Sequence, residues 1–326
     1  HLGVALLELG RYEEALGSLK NAIYINPKSP QTFYNLGLVY QNLNKFKDAE
    51  INYNNAIQLN GKHYQAFNNL GILLKKQGKL KEALIRHKAA ISIKTDFAEG
   101  YFNLGIIYKE LNNFEEAIYN FNRSIEYNPC SLDTLNNLGN MLLETGKLDE
   151  AKIIFEKSLN LNSESADSYY NLANVLKRLG KLEEATINYV KSIKLNPEFL
   201  EAYNNLGVTL IDNGKVEKAK TVFYQAINID PNYPQIYYNL SSLASNINES
   251  ETMIEKCLDV DDSFLKAKLM KSAFQIYRGN DNYYKNFTKS KYKNHEFIQS
   301  LSWILDLPKL PKLYFNKWQF FDAVVK

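Results

Sequence analysis

The sequence predicts an all-α fold, a solenoid of stacked antiparallel helix pairs. Three observations predict it. Leucines recur every 34 residues without slipping, at Leu2, Leu36, Leu70, Leu104, Leu138, Leu172, Leu206 and Leu240. The residue after each is small: Gly3, Gly37, Gly71, Gly105, Gly139, Ala173, Gly207 and Ser241. A separator inside each period is only ever Gly or Asn: Gly10, Asn44, Gly78, Asn112, Gly146, Gly180 and Gly214. A fixed period of this size marks a repeat architecture, so the 326-residue length does not set a domain count.

Each period reads as two helices. In the sixth, Tyr169, Leu172, Ala173, Leu176 and Leu179 fall on one stripe of a first helix. Gly180 follows, then a second stripe of Leu182, Ala185, Tyr189, Ser192 and Ile193. The separators accept the left-handed backbone that ends a helix. Second helices carry three more series in phase. One is Ala15, Ala49, Ala83, Ala117, Ala151, Ala185 and Ala219. Another is bulky: Leu19, Tyr53, His87, Phe121, Phe155, Tyr189 and Phe223. The third is small: Ala22, Ala56, Ala90, Ser124, Ser158, Ser192 and Ala226. Second helices are expected to end near Pro27, Pro129, Pro197 and Pro231, because proline forces its predecessor out of helical geometry. Gly37 and its equivalents are expected to face Ala49 and its equivalents, with the bulky side chain filling space toward the next unit.

After Leu240 the pattern fades. The second helix of the eighth unit, about 250–258, lacks the Ala and aromatic series and is expected to act as a cap. The expected organisation is a repeat solenoid over 1–260, its first unit truncated and its last degenerate, then an irregular helical segment over 261–326. That segment reads as a helix from Phe264 to Tyr277, a turn at 278–281, a short helix near 282–290 and a helix from His295 to Leu305. A Pro308–Pro311 connector and an amphipathic start, Phe320 to Val325, follow. The chain begins at His1 in mid-repeat, so it reads as a fragment.

Composition is that of an ordinary folded protein, 45% hydrophobic and 23% charged. Charges cancel over 1–240, and the +3 excess lies in 241–326. Lys266, Lys268, Lys271, Arg278, Lys285, Lys289, Lys291 and Lys293 stand against Asp281 alone. That stretch reads as an acidic-partner patch or a solvated lysine face. No arginine cluster or RNA-binding motif accompanies it, so no nucleic-acid partner is expected. No apolar run reaches about 18 residues, so no membrane span is expected. Cys130 and Cys257 are too few for a disulfide framework, which favours a reducing, cytoplasmic compartment.

No catalytic, cofactor or metal site is expected, and the residues present do not read as an enzyme. The histidines are His1, His63, His87 and His295, none spaced to share a metal. His87 occupies the bulky core slot. No glycine-rich phosphate loop occurs. The Glu pairs at 13–14, 115–116 and 183–184 open second helices, where carboxylates suit the positive helix terminus.

One row is not explained by packing. Asn35, Asn69, Asn103, Asn137, Asn171, Asn205 and Asn239 precede the Leu–small pairs. Asn costs roughly 0.5–0.7 kcal/mol relative to Ala inside a helix, so some interaction must offset seven of them. Two readings stand. A row of carboxamides can pair with the backbone of an extended polypeptide whatever its side chains. Alternatively, each Asn bonds a neighbouring helix and fixes the stacking. The preceding position alternates aromatic and amide: Tyr34, Asn68, Phe102, Asn136, Tyr170, Asn204 and Tyr238. Asn140 and Asn174 lie one turn beyond Asn137 and Asn171. Asn136, Asn137, Asn140, Asn171, Asn174 and Asn205 therefore form the densest amide surface, with Tyr170 beside it. The candidate peptide-binding residues are these and the rest of the asparagine row.

The aromatic-x-x-Leu-Gly run, the Ala/aromatic/Ala triplet and the inter-repeat proline together resemble the tetratricopeptide repeat family over about 1–260. Tyr170–Leu176 followed by Gly180–Ala185 looks like the repeats of O-linked N-acetylglucosamine transferase. The resemblance implies a right-handed superhelix whose first helices line a concave groove, with the asparagines as a ladder along it. Members that clamp a carboxylate or phosphate place Lys or Arg on this face. Here those slots are mostly amide or aromatic, which argues against that mode. Phe315–Asp322 looks like the lead-in to a bacterial methyltransferase domain, or else an amphipathic helix that packs on the solenoid. The expected function is a protein-interaction scaffold that holds an extended polypeptide. A second reading is the substrate-recruiting arm of a glycosyltransferase or methyltransferase whose catalytic domain lies elsewhere. A third is a scaffold whose groove is filled by its own molecule, such as a further C-terminal domain.

Overall fold

The computed structural model describes residues 1–277, which hold 17 helices and no strand. They fall into two compact units, one spanning His1–Leu179 and one that begins at Gly180.

The first unit runs α1 (Leu2–Glu8), α2 (Tyr12–Ile25), α3 (Pro30–Asn42), α4 (Phe46–Leu59), α5 (Tyr64–Lys76) and α6 (Leu80–Ile93). It continues with α7 (Ala98–Glu110), α8 (Phe114–Tyr127), α9 (Leu132–Glu144), α10 (Leu148–Leu161) and α11 (Ala166–Arg178). The second unit holds α12 (Leu182–Leu195), α13 (Leu200–Asp212), α14 (Val216–Ile229), α15 (Pro234–Ser242), α16 (Ile247–Val260) and α17 (Leu265–Tyr277).

Every separator takes a left-handed backbone. Asn44 and Asn112 have φ of 58° and 56°, and the five glycines lie between 70° and 78°. This conformation costs an ordinary L-residue roughly 1–2 kcal/mol, which is why only Gly and Asn occur there.

The turn out of each second helix has another cause than the prolines. Asn26 and Asn196 stand before proline with ψ of 89° and 91°. Asn60 and Asn162 stand before Gly61 and Ser163 with ψ of 95° and 94°. The shared device is a side chain that accepts the N–H two residues on. Asn26 takes Lys28 N–H at 3.2 Å, Asn60 takes Lys62 at 3.0 Å, Asn162 takes Glu164 at 3.0 Å, Asn196 takes Glu198 at 3.2 Å and Asp230 takes Asn232 at 2.8 Å. These are Asx turns, and they end the helix with or without proline. Several of the following first helices are then capped. Ser29, Ser131 and Ser165 accept N–H bonds from Thr32, Thr134 and Ser168.

In the hairpins that carry a glycine at the small position, the bulky side chain of the partner helix lies nearest to it. A Cβ added at Gly37 would come within 2.5 Å of the Tyr53 ring. At Gly105 it would lie 2.6 Å from Phe121, and at Gly139 2.6 Å from Phe155. The rings therefore rest on bare backbone inside their own hairpin, and Tyr53, Phe121 and Phe155 are fully buried. Stacking then adds the core between hairpins. Ala49 and Tyr53 of α4, Leu70, Leu73 and Leu74 of α5, Ala83 of α6 and Ile107 of α7 share one cluster.

In the second unit α15 has only nine residues, whereas α16 has fourteen. The second helix of the eighth pair is thus longer than 250–258. Asn246 caps it by accepting the Glu249 N–H at 2.9 Å. Here Ser241 replaces glycine, and Cys257 fills the ring slot, fully buried. Burial pushes the Cys257 thiol up to about 11. α17 packs over α16 through Ala267, Met270 and Phe274, so α16 does not end the described stack. Lys271 on α17 pairs with Glu255 at 3.7 Å. The lysine-rich stretch beyond Tyr277, the helices expected after it and the 315–322 lead-in lie outside the described residues.

The ring-on-glycine contact makes a prediction. Gly139→Ala should lower unfolding free energy by about 1–3 kcal/mol, the usual cost of overpacking. Combining it with Phe155→Leu should cost less than the two single losses added. A double-mutant cycle by urea denaturation checks this, and strict additivity would show that the two positions do not touch.

Candidate functional site

The asparagine row lies on the first helices, and its members differ in what they bond. Asn35 is only 6% exposed and accepts from Gln31 Nε2 at 3.2 Å in its own helix. Asn69 on α5 donates to the Tyr34 hydroxyl on α3 at 3.1 Å. Asn103 on α7 donates to the Asn68 carbonyl oxygen on α5 at 3.0 Å. In the second unit Asn239 on α15 donates to the Asn204 carbonyl oxygen on α13 at 2.7 Å. Each of these bonds joins an Asn to the residue 35 positions earlier and bolts one first helix to the next. Lys75 and Glu110 add an ion pair of the same span at 2.9 Å, and Arg178 donates to the Leu143 carbonyl.

The bolt requires an acceptor at the alternating position. Phe102 offers none, and Asn137 turns to its own helix instead, donating to the Asp133 carbonyl at 2.8 Å. Asn136 does carry an acceptor, but its oxygen is already engaged. Ser158 and Ser168 hydroxyls donate to it at 3.0 and 3.3 Å. Asn140 and Asn171 are half-buried and make no side-chain hydrogen bond among the described residues. Asn174 and Tyr170 are half-buried on the same helix, α11. In the second unit Asn205 is half-buried and accepts from Asn204 at 3.1 Å. Asn69, Asn103 and Asn239 are thus engaged between first helices, whereas Asn140 and Asn171 bond no described side chain.

One polar centre was not legible as such. Asn68 is 2% exposed and sits between Glu99, His87 and Asn103. Its Nδ2 donates to Glu99 Oε1 at 2.9 Å, and this orients the amide so that its oxygen faces His87 and Asn103. His87 Nδ1 lies 3.0 Å from that oxygen and so carries the proton. Its Nε2 is buried without a partner, close above Gly71. His87 is fully buried, and burial, with a smaller push from Lys75, drives its pKa down to about 4. It is the packed ring that its slot implies. The only advance sign of the centre was the amide at 68 in the alternating row.

The Tyr34 and His63 rings lie tilted at 36° with centroids 4.9 Å apart, and burial raises the Tyr34 phenol above the usual range. Among the described residues, no group of three His, Cys, Asp or Glu side chains is placed to hold a metal. No described helix is long and apolar enough to cross a membrane.

The comparisons decide the family. A TPR repeat profile matches residues 3–44 and 209–242. Tetratricopeptide repeat profiles match 130–198, both 30–63 and 98–129, and 188–221. The chain is a tetratricopeptide repeat protein. No curated protein matches it at a significant level. Among solved structures, the tetratricopeptide protein YrrB, described as having an unusual peptide-binding site, is 23% identical, with a TM-score of 0.52 over 56% of this chain and 95% of YrrB. The C-terminal part of a tetratricopeptide protein from Cytophaga hutchinsonii is 19% identical, with a TM-score of 0.63 over 73% of this chain and 98% of that one. One from Parabacteroides merdae is 20% identical, with a TM-score of 0.55 over 74% and 97%. At these identities the likeness shows the tetratricopeptide fold. Such repeats are in general protein-interaction scaffolds.

The buried histidine makes the tetratricopeptide stack sensitive to acid. A His whose folded pKa lies below its unfolded value of 6.5 destabilises the fold as pH falls between the two values. The contribution is constant above about pH 7. At pH 5 the wild type should lose about 2 kcal/mol that His87→Phe does not lose. Urea unfolding of both proteins at pH 7.5 and 5 measures it. An equal loss in both would show that His87 does not titrate in this way.

Proposed function

We propose that the first-helix face of the first unit, centred on α9 and α11, holds an extended polypeptide by its backbone. The observation that carries this reading is the distribution of spent and unspent amides. Asn69 and Asn103 are bonded to the preceding first helix. Asn140 and Asn171 remain half-exposed without side-chain partners among the described residues, and Asn137 keeps its carbonyl oxygen unpaired there. A carboxamide offers one acceptor and two donors, the complement of a peptide group. Amides repeated once per hairpin can grip a chain at intervals without selecting its side chains. Asn136, Asn174 and Tyr170 flank these positions, and Asn205 occupies the same slot in the second unit. YrrB, of similar fold, is described by its peptide-binding site, which supports a polypeptide ligand here. The same grip would serve the recruiting arm of a modifying enzyme.

The test uses two classes of variant and a combinatorial peptide array. Asn137→Ala with Asn171→Ala should reduce peptide capture at least tenfold and leave the melting temperature nearly unchanged. Asn69→Ala with Asn103→Ala should do the reverse, lowering stability by about 1 kcal/mol per lost bond. Capture that survives loss of Asn137 and Asn171 would remove this face as the binding site.

A further inference from the structure

The opposite face of the first unit carries a row that packing does not require. Ile51, Ile85, Tyr119 and Ile153 occupy the same slot of α4, α6, α8 and α10, each 34 residues from the last. They are 56%, 63%, 57% and 63% exposed. The slot lies two residues after the fully buried alanine series and two before the fully buried bulky series. At 3.6 residues per turn this is about 200° from the first of these, so the side chain points away from the hairpin. Ile is a poorer helix former than Lys or Glu and gains nothing from solvent. Single exposed apolar residues need no explanation, but a register-locked row in four successive hairpins does. Ile187 fills the same slot in the second unit and is equally exposed.

An acidic row runs beside the apolar one. Three residues before each apolar member stands Asp48, Glu82, Glu116 or Glu150. None of these carboxylates forms an ion pair among the described residues. Each also suits its helix N-terminus, so the carboxylates alone would indicate no ligand. Together with the exposed apolar row they define the chemistry of one. Lys47 and Lys81 stand beside the first two carboxylates, whereas Glu115 and Asp149 double the last two, so the negative line is strongest on α8 and α10 and there repels nucleic acid and anionic membrane surfaces. It equally disfavours the same face of a second copy. A partner with an apolar stripe edged by Lys or Arg meets both rows at once.

We propose that the second-helix face of the first unit docks a basic amphipathic helix, independently of the amide face on the first helices. The apolar row covers the partner's stripe, and the flanking carboxylates pair with its Lys or Arg residues.

The experiment titrates the intact chain with a helical Leu/Lys amphipathic peptide and with its Leu/Glu counterpart of identical apolar pattern. The Leu/Lys peptide should bind, and the Leu/Glu peptide should bind at least tenfold more weakly. Ile51→Ser, Ile85→Ser and Ile153→Ser combined should weaken Leu/Lys binding at least tenfold without changing the melting temperature, because these side chains are solvent-exposed. Glu116→Lys with Glu150→Lys should weaken it too. Asn137→Ala with Asn171→Ala should leave it unaltered, which separates failure here from failure of the amide-face reading. Absent binding, equal binding of both peptides, or binding that survives the triple serine variant would overturn the proposal. So would self-association by sedimentation that the triple variant abolishes, which would assign the row to a second copy.

Discussion

The fold depends on one contact, a large side chain lying on bare backbone inside each hairpin. With Tyr53 over Gly37, Phe121 over Gly105 and Phe155 over Gly139, the two helices approach as closely as a ring and a Cα allow. That contact sets how each hairpin is held, and the hairpin sets where its first helix stands. Only then can an amide on one first helix reach an acceptor on the next. The series are not locked to one pairing: Ser241 goes with Cys257, Gly3 with Leu19, and Ala173 keeps a ring in its repeat at Tyr189.

Above that constraint the asparagine row divides its work. Half-buried amides between helices cost less when they bond each other than when left unpaired. Tyr34, Asn68 and Asn204 supply acceptors, and the asparagines 35 positions later use them. Phe102 cannot, and Asn136 is held by Ser158 and Ser168. In the first unit the bolts therefore join α3 to α5 and α5 to α7, while Asn140 and Asn171 bond no described side chain.

The repeat boundaries were legible because they rest on a local requirement. A positive φ admits Gly or Asn, and all seven separators adopt it. That the ring lies directly over the glycine was not legible from spacing, since it needs the rotation of one helix against another. The role given to the prolines was too broad, because Asn60 and Asn162 make the same turn without one. Seven equal asparagines in the sequence concealed unequal bonding. The difference lay in the alternating row before them, visible as a pattern but not as a set of acceptors. His87 was legible as a packed ring from its slot. Its tie to Asn68 and Glu99 joins residues from three helices, beyond the reach of periodicity.

Recognition of a peptide backbone by the open amides is most directly tested on the ligand. A peptide captured by the intact chain would be compared with versions carrying ester links in place of successive amides, and with versions whose side chains are shuffled. Calorimetric titration should show affinity falling severalfold at esters that recur at intervals along the chain, while shuffling changes little. Affinity that follows the side chains and ignores the esters would contradict the account.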